Sequence, residues 1–114
     1  MEIKTDDYCV TYHPETATVS FGGSLRLGGT EEYKPIVDLL DEAAGNDPET
    51  ITLDLKALEF LNSSGISMLS KFVISIRKKK NSSITVKGSN EFAWQGKSLK
   101  NLQRLMPTLT LEFE

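Results

Sequence analysis

Near the start of the chain, Tyr8, Val10 and Tyr12 alternate with Cys9 and Thr11, and Ala17, Val19 and Phe21 alternate with Thr18 and Ser20. A period of two predicts two strands, each burying one face. The His13-Pro14-Glu15-Thr16 link reads as a turn, so the two are expected to pair as an early antiparallel hairpin. From Glu31 to Ala44 the period changes: Tyr33, Ile36, Val37, Leu40, Ala43 and Ala44 fall on one helical face, closed by Gly45 and Asn46-Asp47-Pro48. Thr30 is a possible cap for this helix, but Pro35 would then lie in its first turns without an amide hydrogen, so regular helix is expected to begin nearer Lys34.

Alternation returns at Ile51, Leu53 and Leu55, and from Ser64 onward Ile66, Leu69, Phe72, Val73 and Ile76 recur at helical spacing up to Arg77-Lys78-Lys79-Lys80. Ile84 and Val86 predict a short strand. Leu99, Leu102 and Leu105, with Met106, predict a third helix stopped by Pro107, and Leu109, Leu111 and Phe113 a last strand. The order β-β-α-β-α-β-α-β implies parallel neighbours joined by right-handed crossovers, beside the antiparallel hairpin. The expected fold is α/β: a mixed sheet with helices packed against it, in one domain over residues 1–114.

Composition narrows the function. The chain has 114 residues, 39% hydrophobic and 25% charged, enough for one core. A formal charge of −3 opposes general attraction to nucleic acid or to an acidic membrane, and neither partner is expected. Arg77 to Lys80 read as a solvated last turn favoured by the helix dipole. Cys9 is the only cysteine, expected as a half-buried strand residue in a reducing compartment. With no signal-like N-terminus and no apolar span, a cytoplasmic protein is expected.

Enzyme chemistry finds little support. His13 is the only histidine, it sits in a turn, and no G-x-S-x-G surrounds Ser63, so a serine nucleophile has no base. The glycine-rich stretch Phe21 to Thr30 matches neither G-x-G-x-x-G nor a P-loop, and reads as a strand end and a flexible loop whose glycines supply positive φ or close backbone approach. Asp54 and Glu59 have no Cys/His cluster to complete a metal site. No metal or cofactor is expected, and the chain reads as a non-enzyme. Trp94 is expected to pack on the domain, with a partner anchor as the alternative.

What stands out is Glu59-Phe60-Leu61-Asn62-Ser63-Ser64-Gly65, where the third of these strands hands over to the second helix. Open α/β sheets place their working sites at such carboxyl ends of parallel strands. Asn62, Ser63 or Ser64 can cap the helix by accepting from its free amides. The same amides suit a phosphoryl group, whose charge of about −1.5 to −2 would repel an acidic or apolar partner surface. Gly65 keeps the turn uncrowded for a kinase.

The run Leu53-Asp54-Leu55, Leu58 and Phe60-Leu61-Asn62-Ser63-Ser64-Gly65-Ile66 resembles the signature of STAS domains, the family that includes bacterial anti-sigma factor antagonists. The resemblance implies a STAS-like fold and partner switching: an unphosphorylated antagonist binds a serine-kinase anti-sigma factor, the kinase inactivates it with ATP, and a PP2C-type phosphatase restores it. It implies Ser63 as the phosphoacceptor and Ser64 as a neighbouring cap or secondary site. Two residues depart from the family pattern. Asn62 stands where an aspartate is usual, and Ser24-Leu25 is followed by Arg26 where an acid is usual. Asn62 and Gly65, with Ser24 and Arg26 of the facing loop, are thus the expected phosphate or partner contacts, and Arg26 is a candidate bidentate partner for a phosphate on Ser63. The alternative is a STAS interaction or scaffold module that binds constitutively, without phosphorylation.

Overall fold

The structure is a computed structural model and describes residues 1–114. Strands β2 (Tyr8–His13) and β3 (Thr18–Leu25) form the expected hairpin, preceded by a short strand β1 (Glu2–Lys4). There follow α1 (Thr30–Gly45), β4 (Thr50–Leu61), α2 (Ser63–Lys79), β5 (Ser83–Gly88), α3 (Ala93–Leu105) and β6 (Thr110–Phe113). The sheet order follows the chain order from β1 to β6. β1, β2 and β3 pair antiparallel, and β3 through β6 pair parallel.

A strand order that never reverses, joined by crossovers of one hand, puts all three helices on the same sheet face. One cluster of 27 buried side chains accordingly joins sheet and helices, with Val19, Phe21, Leu53 and Val86 meeting Ile36, Leu40, Leu69, Val73 and Leu99. The other face carries half-exposed Thr18, Thr52 and Thr85 in register. Such polar, β-branched side chains leave that face stable in water.

Three sequence expectations change. α1 begins at Thr30, with Gly29 as its N-cap, and Pro35 lies inside it. The amide that Pro35 lacks would have bonded the carbonyl of Glu31, which stands on the exposed side of the helix where water replaces it. The glycine-rich stretch is less loop than expected, because Phe21 to Leu25 continue β3. Gly23 has φ +82° and its Cα faces the Asp7–Tyr8 backbone, so a Cβ there would sit 2.9 Å from the Tyr8 Cα. β1 was not foreseen: three residues with one apolar side chain carry no periodic signal.

β4 is longer than its alternation suggested. Two register shifts against β3, at Ser20/Gly22 and Gly23/Ser24, insert extra β4 residues, and pairing with β5 stops at Asp54. Bulges of this kind bend and twist a strand. The free β4 edge beyond Asp54 is then closed by α3. Gln95, fully buried, donates to the carbonyls of Leu55 (2.8 Å) and Leu58 (2.9 Å) and accepts from the Ser89 amide (2.7 Å). Trp94 packs on the domain, its indole N–H donating to the Glu59 carbonyl at 2.9 Å.

Candidate functional site

β3, β4 and β5 all hand over to helices at the same end of the sheet, and the turn between β4 and α2 lies there. Leu61 is buried and points into the core; Asn62 follows in extended conformation, φ −78° and ψ 174°, as the N-cap of α2. Its side chain uses both ends. Oδ1 accepts from the Gly65 amide (2.9 Å) and from the Tyr33 hydroxyl (2.7 Å), while Nδ2 donates to the Leu27 carbonyl (2.8 Å). The Asn62 amide donates to the Leu25 carbonyl at 3.1 Å.

One residue therefore joins α2, α1 and the loop after β3. An aspartate at this position would keep the two acceptor contacts but turn an oxygen toward the Leu27 carbonyl, where the amide donates. The departure from the acid usual in the motif that the turn resembles thus has a local physical reason. Burial raises the Tyr33 phenol above its ordinary pKa, and only a backbone contact with Leu27 opposes it, so Tyr33 stays a neutral donor.

With Asn62 as the cap, the serines are left for other work. None of the side-chain hydrogen bonds at the turn uses the oxygen of Ser63 or Ser64. Ser63, the first residue of α2, is exposed; Ser64 is half-buried and turned toward α1. Gly65 is buried, and its missing side chain makes room on the inner side: a Cβ would meet the Leu61 side chain and stand 2.7 Å from the Tyr33 hydroxyl. The clearance expected to serve an approaching kinase is taken up by packing, and access to Ser63 comes from its own exposure.

Beside the turn, α1 and α2 enclose a groove of about 470 Å³. Its floor is apolar, from Tyr33, Val37, Leu40, Met68 and Phe72, and its rim is polar, including Ser64, Asp41 and Lys71. A cleft of this size and make-up suits a few side chains of another molecule.

Arg26 follows Leu25 and is exposed, in the loop that meets the serine turn through Asn62. Its guanidinium lies 4.5 Å from the centroid of Phe60, one of only two large hydrophobic side chains left exposed. A cation over a ring face is a favourable contact, of about 0.5–1 kcal/mol in the open. Ser24 pairs with Phe60 at the second register shift, and its amide donates to the Asp7 carbonyl at 2.9 Å. Loop and turn are therefore neighbours, with Arg26 resting on Phe60. His13, at the end of β2, pairs with Thr18 of β3 and has the Glu15 carboxylate 4.0 Å from its ring, and no cluster of three or more metal-ligating side chains exists. No helix is long and apolar enough to cross a membrane.

Sequence reasoning missed the polar contacts that Tyr33 and Gln95 make in building the turn and closing the β4 edge. Gln95 did carry a signal: it stands four residues before Leu99 and seven before Leu102, on the apolar face of α3. A polar residue there needs buried partners.

No family model matches the chain, and no curated protein matches it in sequence. Its fold is the STAS-like fold of solved bacterial structures. It superposes on a chain of the crystal structure of diguanylate cyclase SiaD in complex with its activator SiaC from Pseudomonas aeruginosa, with TM-score 0.74 and 11% identity over 100% of this chain and 99% of that one. SiaC of Pseudomonas aeruginosa matches with TM-score 0.65 and 13% identity over 99% and 93% of the two chains. An anti-sigma factor antagonist from Mycobacterium paratuberculosis matches with TM-score 0.60 and 19% identity over 96% and 82%.

Proposed function

We propose that this protein is a non-enzymatic signalling regulator that binds a protein partner through the serine turn and the adjoining α1–α2 groove, and that phosphorylation of Ser63 weakens that binding. The observation that carries the reading is the division of labour at the turn: Asn62 caps α2 while Ser63 stands exposed with its hydroxyl uncommitted. A phosphate on Ser63 meets the partial positive charge of the α2 N-terminus, and no acidic residue in the first turn repels it. The domain would keep its fold while the surface gains charge.

The fold agrees with this reading, since similar structures include an activator held in complex with the enzyme it activates and an anti-sigma factor antagonist. A serine-kinase anti-sigma factor, opposed by a PP2C-type phosphatase, is the partner type that the sequence motif favours; a signalling enzyme such as a cyclase is the type that the SiaC likeness favours. Asn62 supports a second reading, a module that binds constitutively, because it replaces the acid that usually precedes the acceptor.

Partner capture from the native cell by crosslinking, followed by affinity measurement with the purified partner, separates the two readings. The switch predicts that Ser63→Ala binds as the unmodified protein does and that Ser63→Asp binds at least about tenfold more weakly, a loss of about 1.4 kcal/mol. Equal affinities for both variants and for phosphorylated protein would leave only the constitutive module.

A further inference from the structure

The charged residues of the helical layer are sorted by helix. α2 carries Lys71, Arg77, Lys78 and Lys79, and α3 carries Lys97, Lys100 and Arg104; neither helix holds an Asp or Glu. α1, on the other side of α2, carries Glu31, Glu32, Asp38, Asp41 and Glu42 against a single Lys34. None of the basic side chains of α2 or α3 pairs with a carboxylate of the chain.

Helix dipoles account for part of this, since Arg77 to Lys79 and Arg104 occupy last turns. They do not account for Lys100 in mid-helix or for Lys97 near the start of α3, where an acid would be favoured. Both helices follow parallel strands and run in the same direction. Lys71 lines the α1–α2 groove together with Asp41, so the basic surface in question is that of α3 with the last turn of α2. A chain of charge −3 thus presents a basic α3 beside the basic last turn of α2, where Arg77 alone of the basic side chains ties the two helices, donating to the Leu105 carbonyl at 3.1 Å.

We propose that the exposed α2–α3 face is an interaction surface for an acidic polypeptide segment of a partner protein. Lys97 and Arg104 are separated by two helical turns, about 10 Å, a span matched by carboxylates one or two turns apart on a partner helix. Lipid fits poorly, because the exposed large hydrophobic residues, Met1 and Phe60, lie on neither helix and nothing is placed to insert. Nucleic acid fits poorly too. Phe72 of α2 is buried and Trp94 of α3 is half-buried with its N–H held by Glu59, so this face offers no exposed ring for base stacking, and a polyanion longer than the patch meets the acids of α1. The surface works whether or not Ser63 is modified, so it goes beyond the switch proposed above.

The test titrates the full chain at low salt with three labelled probes of similar charge: an oligoglutamate, a single-stranded oligothymidylate and phosphatidylserine vesicles. Oligoglutamate is expected to bind most tightly and to release as salt rises. NMR shift changes are expected on Lys97, Lys100 and Arg104. The triple variant Lys97→Glu/Lys100→Glu/Arg104→Glu should weaken binding at least about tenfold, and the milder triple Gln variant should weaken it less while keeping the native spectrum. Tighter binding of oligothymidylate or vesicles, absence of oligoglutamate binding, or insensitivity to the triple variants would each overturn the proposal.

Discussion

Asn62 decides how the serine turn is built, and the cost of changing it follows from its contacts. Asn62→Ala removes the cap and leaves the Tyr33 hydroxyl buried without its acceptor, so a loss of about 2–3 kcal/mol is expected in urea unfolding. Asn62→Asp, the residue usual in the family motif, keeps the cap but sets a carboxylate against the Leu27 carbonyl; about 1 kcal/mol is expected to be lost. An aspartate variant more stable than the parent would contradict the clamp. Tyr33 adds a pH dependence. Burial raises its folded-state pKa, so stability is complete below the unfolded phenol's value of about 10 and falls as pH rises from there through the folded value. Tyr33→Phe should remove that alkaline component, as read by unfolding at a series of pH values. The cap-rich character of Asn62-Ser63-Ser64 was legible in the sequence. The clamp was not, because Tyr33 and Leu27 lie 29 and 35 residues away.

Among the elements, β4 and α3 show where periodicity stops informing. Alternation located the strand at Ile51 to Leu55, and the two register shifts that carry it on to Leu61 change which residues face inward, so a period of two is lost. The unpaired carbonyls this leaves explain why α3 begins with Trp94 and Gln95 on its inner side. Gln95→Leu is close in volume but leaves two carbonyls and the Ser89 amide without partners; about 2–4 kcal/mol should be lost. Amide exchange should speed up at Ser89 first, and unchanged protection there would argue against the role given to Gln95. The remaining helices were legible because their apolar faces are long, although Pro35 obscured the start of α1 by standing on its solvent side.

Across the whole molecule, the order of strands and helices from β2 onward was readable from the chain, because the hydrophobic period changes from one element to the next. The pairing of a serine turn with an α1–α2 groove was not readable, since it depends on which helices become neighbours. The segregation of charge could have been read by counting acids and bases within each helix and was hidden by the near-balanced total. The domain leaves its sheet face polar, and both proposed recognition surfaces fall on its helical side and at the serine turn. The switch turns on whether Ser63 is modified in the living cell. The most direct measurement is phosphosite mapping by mass spectrometry of the protein recovered from its own cells, paired with the affinity of the two separated forms for the captured partner. Phosphate on Ser63, absent from Ser63→Ala and accompanied by at least about tenfold weaker binding, is the predicted result. Phosphate confined to other residues, or a phosphorylated form that binds as tightly as the unmodified one, would contradict it.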